Sequence, residues 1–472
     1  MAGHRQKVLI IGAGVAGGVV AEVLINRVDG NLLPVGFIDD DPGKKNTVIH
    51  GLPVLGDRCA IPAMVKETGA EQIIIAIPSA SCETIRQIVA VCHQTKAYLK
   101  IMPGFYDLIT GKIQTSSIRE VRLEDLIGRR PVPLNVKDIA GYLKNRTILI
   151  TGAGGTIGSE ICRQLAGFEP GRLVLLGHGE NSIYEVEMEL RGTFPLANLV
   201  PEIADIRDGE RIKRVFDRHR PEVVFHAAAH KHVPLMENNP EEAVKNNILG
   251  TKILAEAAHR FDVRVFVLIS SDKAVNPTSI MGATKRVAEM VVQRMNEQSA
   301  TKFAAVRFGN VLGSRGSAVP LFKKQIASGG PVTVTHPDMQ RYFMTVAEAA
   351  QLVIQAGALA RGGEIFILDM GEPVLILDLV KNLIRLSGYE PELDIPIRFS
   401  GIRPGEKLTE SLYCAQEQIV PTSHKRIYKV PLVNRCFKNL EELLEIFSRK
   451  NFIYAGETIK QHLNQVVGLQ RT

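Results

Sequence analysis

The 472-residue chain has six cysteines, Cys59, Cys82, Cys92, Cys162, Cys414 and Cys436, and no C-x-x-C pair among them. That scatter argues against a zinc site and against a disulfide framework. No window approaches the roughly 18 apolar residues that a membrane-crossing helix needs. The N-terminus has no apolar signal core with a cleavage site, since its first apolar run leads straight into a glycine turn. The chain therefore reads as cytoplasmic, with a peripheral position at the inner membrane face compatible. Charge of one sign is also missing as a block. The 57 Lys and Arg are interspersed with 50 Asp and Glu, for a formal charge of +7, so no nucleic-acid-binding tail is expected. An anionic substrate is compatible with that mild excess. Hydrophobic residues, at 45%, are enough for sizeable cores, and the length asks for two or three domains.

What is present is strand–helix alternation. Lys7–Ile11 is a short apolar run suited to a strand buried on both faces. It ends in Gly12-Ala13-Gly14-Val15-Ala16-Gly17, with a helix expected through Ile25. Leu33–Asp40, Gln72–Pro78 and Tyr98–Pro103 supply further strands. Val121–Tyr142, with Gly128-Arg129-Arg130-Pro131-Val132-Pro133, reads as a connector. A second unit restarts at Thr147–Ile150. It continues with strand Arg172–Leu176, helix Ile183–Arg191, an acidic turn at Ala204–Ile206, strand Val223–His226, helix Glu241–His259, strand Val265–Ser270 and helix Thr284–Asn296. From about Val311 short apolar runs, prolines and turns suit a smaller lobe, and Asn439–Leu469 reads as helical and peripheral. The expected fold is α/β, with two Rossmann-like doubly wound domains at 1–128 and 147–440. A linker at 129–146 and a helical tail at 441–472 complete the division.

Both units open with a strand that ends in closely spaced glycines, which lets backbone amides approach a pyrophosphate at a helix N-terminus. Gly12, Gly14 and Gly17, with Asp39 as a ribose-binding acid, form a possible second nucleotide site. The same pattern also arises in a Rossmann-like domain that binds nothing. The second turn, Gly152-x-x-Gly155-x-x-Gly158, includes Thr156 and Ile157 and has more support. Asp205 and Ile206 are placed to contact an adenine. Ala227, Ala228 and Ala229 offer small residues where a cofactor must lie close to the backbone, and Asn247 sits in the helix beyond.

Five ordered strings carry a resemblance. They are Thr151–Gly158, His226–Glu237, Ser271–Thr278, Arg307–Leu312 and Arg403-Pro404-Gly405-Glu406-Lys407. Over Thr147 to about Tyr428 the chain resembles the extended short-chain dehydrogenase/reductases that act on nucleotide sugars. Among these it is similar to the 4,6-dehydratases of capsule, O-antigen and protein-glycosylation pathways, called polysaccharide biosynthesis proteins (CapD-like). The resemblance implies a substrate lobe within the second domain and a nucleotide- or CoA-binding-like first domain. It also implies homo-oligomers assembled through catalytic-domain helices. Large members carry N-terminal transmembrane helices that this chain lacks, which suggests a natural soluble form or a shortened one. The superfamily's Tyr-x-x-x-Lys becomes Met281-x-x-x-Lys285, and methionine cannot take a proton from a sugar hydroxyl. That departure matches a subgroup in which a Ser or Thr before the Asp-Lys pair, here Ser271, takes over.

The chemistry that the resemblance implies is dehydration of UDP-N-acetylglucosamine or a close relative to a 4-keto-6-deoxy sugar nucleotide, a hydro-lyase reaction. NAD is the expected cofactor, with NADP possible, because Gly177-His178-Gly179-Glu180-Asn181 puts neither an acid nor an arginine in the obvious place. Lys273 is the expected base at C5, with a depressed pKa from burial and nearby positive charge. Asp272 is the acid at C6, favoured by desolvation. Ser271 hands on the C4 hydroxyl proton and Lys285 anchors the nicotinamide ribose. Asn310, Arg315, Arg341 and Arg403 are expected at the substrate, since arginine's planar fork suits pyrophosphate oxygens, and Lys231 and His232 border the cleft. His230 and His232 lack a further ligand cluster, so no metal is expected. Two competing readings are a nucleotide-sugar 4-epimerase, independent of Asp272 and Lys273, and a catalytically silent sensor or scaffold that has lost the tyrosine.

Overall fold

The computed structural model describes residues 5–26, 31–102, 118–127, 136–431, 438–449 and 456–469. Gly128–Pro133 of the expected connector and Cys436 lie outside them. The chain separates into two compact units, residues 1–130 with 382–391, and 131–381 with 392–472. No helix among the described residues is long and apolar enough to cross a membrane.

In the first unit the strand Gln6–Ile11 lies between Leu32–Ile38 and Gln72–Ile75, pairing in parallel with both. Val8, Leu9, Ile10 and Ile11 are at most 2% exposed, as befits a strand covered on both faces. Leu52–Gly56 and Tyr98–Ile101 extend the sheet in parallel, and Val48–Ile49 and Arg119–Glu120 close its two edges antiparallel. Those two-residue edge strands are too short for a periodic signal. Gly12 adopts φ 101°, and a Cβ on Gly17 would sit 1.8 Å from the Gly12 carbonyl oxygen. Both glycines thus bring the helix Val15–Asn26 onto its strand, whatever else the turn does.

The second unit holds nine strands in the order Leu199–Ile203, Arg172–Gly177, Thr147–Thr151, Val223–His226, Val265–Ile269, Lys302–Arg307, Ile365–Leu368, Ile427–Val430 and Val420–Pro421. The first seven pair in parallel and the last two antiparallel. Strand order reverses between Thr147–Thr151 and Val223–His226, so the ligand crevice of this topology opens beyond their carboxyl ends. The glycine turn, Ala227–Ala229 and Ser270–Lys273 all follow the carboxyl ends of these neighbouring strands.

Several expectations are corrected. The strand Leu199–Ile203 and helix Gly209–His219 escape a reading by hydrophobicity, because Pro201 and Glu202 interrupt the strand and the helix is mostly polar. The continuous helix expected over Glu241–His259 is three pieces: Pro240–Ala243, a π-helical turn Val244–Leu249, and Gly250–Arg260. Ser279 accepts a hydrogen bond from the Gly282 amide, so the next helix starts at Ile280 rather than Thr284 and runs to Glu297. The stretch read as a connector carries helices at Leu123–Ile127 and Val136–Leu143, and Ile139 and Leu143 of the latter are fully buried. The terminal helices Lys438–Ser448 and Gly456–Val467 are not peripheral. Leu440, Leu443, Phe447, Ile459 and Leu463 join the core beneath Met281 and Val287, as an apolar stripe on an amphipathic helix requires.

Candidate active site

The helix Thr156–Ala166 starts at Gly155 with no side-chain cap, so its first amides point into the crevice unpaired by a cap, the arrangement that receives a phosphate. Gly152 has φ 68°, and a Cβ there would lie 2.7 Å from the Ala228 amide nitrogen. A Cβ on Gly158 would meet the Gly152 carbonyl oxygen at 2.2 Å. The turn and Ala227–Ala229 are therefore pressed together, and the cradle fits a dinucleotide pyrophosphate. Beneath it His226 is buried between the hydroxyls of Thr151 (2.8 Å) and Thr251 (3.0 Å). Burial and the Lys285 charge push its pKa down to about 3, so the ring is a neutral strut.

Three residues expected at the cofactor have their side chains committed elsewhere. The Asn247 amide uses its full hydrogen-bonding capacity. It donates to the His230 carbonyl and the Thr284 hydroxyl, and accepts from the His230 amide and the Asn246 side chain. It shapes the loop from the π-helical turn, a local geometry that often marks functional sites. Asp205 is paired with Arg207, which also reaches Glu242 at 2.6 Å. Ile206 is 4% exposed and packs where a Cβ on Gly250 would stand.

Ser270–Lys273 follows strand Val265–Ile269 and turns sharply. Ser271 accepts from the Lys273 amide and donates to Asp272 Oδ1 at 2.8 Å. Asp272 is fully buried, and its Oδ2 has no hydrogen-bond partner among the described residues. Lys273 Nζ lies 3.0 Å from Asp272 Oδ1 and 3.3 Å from Asn310 Oδ1. The expected acid, base and hydroxyl thus form one contiguous cluster. The expected depression of the Lys273 pKa is not found. Burial pulls it down, but Asp272 and Glu410 outweigh burial and Arg341, and the net direction is up.

Met281 and Lys285 stand one helical turn apart on Ile280–Glu297, and Met281 is 2% exposed. Lys285 Nζ donates to the Ile269 carbonyl at 2.6 Å, which fastens the helix to the strand leading into Ser270. Burial, opposed by Glu289, brings the Lys285 pKa down to about 8. Glu289 on the same helix belongs to a buried ion network. Arg307 grips it with two hydrogen bonds of 2.7 Å and grips Glu417 at 2.7 and 3.0 Å. Ser270 and Arg286 complete the Glu289 shell.

The residues expected at the substrate separate into different roles. Arg341 is buried and donates to the carbonyls of Gln340, Lys407 and Leu408, which ties these segments of the lobe together. Arg315 lies over the glycine turn, donating to the Gly154 carbonyl and, through its amide, to Thr156 Oγ1. Arg403 is open to solvent and paired with Glu406 at 2.7 Å. Lys231 reaches Ser314 at 3.3 Å, and burial with Lys273 pushes its pKa down. The His232 ring fills the space where a Cβ on Gly316 would stand, and burial with Lys231 lowers its pKa. Two groups escaped the sequence reading. Glu410 stands 3.6 Å from Lys273, three residues past the Arg403–Lys407 string. The Tyr342 phenol feels burial and the charges of Glu372 and Asp272.

Two family models match, that of the polysaccharide biosynthesis protein over residues 148–432 and that of a CoA-binding domain over residues 1–103. The capsular polysaccharide biosynthesis protein CapD of Staphylococcus aureus is 51% identical over 95% of this chain and 76% of its own. At 32% identity stand an inverting UDP-N-acetylglucosamine 4,6-dehydratase of Campylobacter jejuni (60% of this chain, 82% of its own) and a UDP-glucose 4-epimerase of Rickettsia canadensis (62% and 84%). The X-ray structure of Pen from Bacillus thuringiensis superposes with a TM-score of 0.57 at 36% identity, over 61% of this chain and 90% of its own. With the glycine cradle and the Ser-Asp-Lys cluster in one crevice, the chain belongs to the polysaccharide biosynthesis protein family, as a CapD-like member of the extended short-chain dehydrogenase/reductases.

Proposed function

We propose that the protein is a UDP-N-acetylglucosamine 4,6-dehydratase, converting that sugar nucleotide to a UDP-4-keto-6-deoxy sugar for surface polysaccharide or glycan synthesis. The observation that carries this reading is the Asp272–Lys273 pair, its carboxylate buried and bonded to Ser271, followed by Met281 in place of a proton-taking tyrosine. Simple alcohol oxidation needs one proton acceptor, whereas elimination needs both a base and an acid on adjacent carbons. Residues 152–158 would hold the pyrophosphate of NAD(P), with Arg315 beside it. A bound NAD(P) supplies the redox half of the cycle, storage of the C4 hydrogen as hydride and its return to C6. Ser271 takes the C4 hydroxyl proton as it passes its own to the Asp272 carboxylate, which keeps it for the next step. Lys273, in its neutral form, removes the C5 hydrogen, acidified by the C4 ketone, and returns that proton to C5 once C6 is reduced. Asp272 protonates the C6 hydroxyl as it leaves as water. Lys285 fixes the nicotinamide ribose, and Arg403 meets the diphosphate from the solvent side.

The test is incubation of the full chain with UDP-N-acetylglucosamine and analysis of the products by mass spectrometry and NMR. A product lighter by one water with a 4-keto or hydrated C4 signal is expected. An unchanged mass with inverted C4 refutes dehydration in favour of the epimerase. No turnover with added NAD+ or NADP+ refutes this substrate.

A further inference from the structure

Three oxygens from three chain segments converge on the Lys273 ammonium. They are Asp272 Oδ1 at 3.0 Å, Asn310 Oδ1 at 3.3 Å and Glu410 Oε1 at 3.6 Å. An ammonium has three N–H donors and no acceptor; two of them are met by Asp272 and Asn310, and Glu410 adds a negative charge at ion-pair distance. Glu410 is 7% exposed, its Oε2 has no hydrogen-bond partner within 3.5 Å among the described residues, and its other cation, Lys407, stands at 3.7 Å. Lys407 itself is tethered to the Val275 carbonyl at 2.8 Å. Burying a carboxylate is costly unless it acts on a charge, and the cation closest to Glu410 is Lys273.

We propose that Glu410 is a positioning residue of this site, holding the Lys273 ammonium beside Asp272 from the C-terminal lobe and setting the pH at which Lys273 becomes a base. The proposal deepens the dehydratase reading and rests on Lys273 as the C5 base. The charged groups that face Lys273 are Asp272 on its own turn, Glu410 and Lys407 on the lobe segment, Arg341 on the strand Gln340–Arg341, and Lys231 on the loop after His226. Two anions therefore stand against three cations around it. Without the Glu410 charge, Asp272 alone faces Arg341, Lys231 and Lys407, and the ammonium releases its proton at lower pH. An opposite charge at such a distance shifts a pKa by about 1–3 units.

The test uses Glu410→Gln, which keeps the side-chain shape, and Glu410→Asp, which keeps the charge. Two readouts are taken on the full chain. One is the pH midpoint for acetic-anhydride labelling of Lys273, read by peptide mass spectrometry. The other is kcat and KM for UDP-N-acetylglucosamine against pH. In Glu410→Gln both the labelling midpoint and the rising limb of kcat are expected to move down by about one pH unit or more. Glu410→Asp should return both towards wild type. A Glu410→Gln enzyme with an unmoved midpoint and a uniformly lower kcat overturns the proposal and leaves Glu410 a packing residue. A shifted labelling midpoint with an unmoved kcat limb overturns the link to the base. A shifted midpoint in a wild-type background that yields no dehydrated product upholds the Glu410–Lys273 coupling and sinks the dehydratase reading instead.

Discussion

Replacing Arg307 by methionine tests the packing beneath the site. Arg307 is 1% exposed and makes four hydrogen bonds of 2.7–3.0 Å to Glu289 and Glu417, whose side chains are 0% and 3% exposed. Methionine fills much of the volume, so the loss is electrostatic more than a cavity. Arg286, 2.8 Å from Glu289 and 3.7 Å from Glu417, is then left to balance two buried carboxylates. Stranding a buried charge in this way costs about 3–5 kcal/mol. At about 2 °C per kcal/mol for a domain of this size, the melting temperature of the second unit should fall by about 6–10 °C. Differential scanning calorimetry of the full chain, which separates domains that melt independently, measures it. Glu289→Gln in the same background should restore part of the loss, with a coupling of about 0.5–3 kcal/mol between the two sites. Because the pair is buried, the loss should be nearly the same in 0.5 M salt. A fall of under 2 °C, or additive behaviour of the two changes, would refute the view that these ions depend on one another.

Two further outcomes follow from the geometry. Gly158→Ala places a methyl 2.2 Å from the Gly152 carbonyl oxygen, a backbone atom, so the turn must open and the cost is about 1–3 kcal/mol. The nucleotide released per chain on denaturation should drop at least tenfold, and wild-type occupancy in this variant would sink the assignment of the turn. Acid stability provides the other. Arg307 and the other partners outweigh burial at Glu289 and hold its pKa at about 2, and the Glu417 pKa is lowered in the same way. A depressed folded-state pKa contributes stability above the unfolded carboxylate range, lost as pH falls through the folded value. The denaturant midpoint should therefore decline from about pH 5 towards pH 2, and this part of the decline should be missing in Glu289→Gln. An equal decline in both proteins would refute it.

Much of the fold was legible because a central parallel strand is apolar on both faces and ends in glycines that nothing else could replace. Lys7–Ile11 and Thr147–Ile150 announce themselves in that way, and Val223–His226 by its apolar run into three alanines. The Ser271-Asp272-Lys273 cluster was equally legible, since consecutive residues at a strand end stay neighbours in any fold. Leu199–Ile203 and Gly209–His219 were not: Pro201 and Glu202 break the alternation of the strand, and the helix is mostly polar, although Ile212, Val215 and Phe216 recur on its buried face. The protein partners of Arg341 and Asn247 were hidden for a related reason. A polar residue type states what a side chain can bond, and only its surroundings state what it does bond.

Local chemistry along the chain therefore determined the two glycine turns, the central strands and the Asp272–Lys273 pair, because each rests on residues within a few positions of one another. Tertiary structure alone decided that Glu410 meets Lys273, that Glu417 meets Arg307, and that the last two helices complete the core. It also reversed the expected direction of the Lys273 pKa. The strength of a charge–charge interaction depends on distance and burial, and for residues more than a hundred positions apart neither exists until the chain has folded.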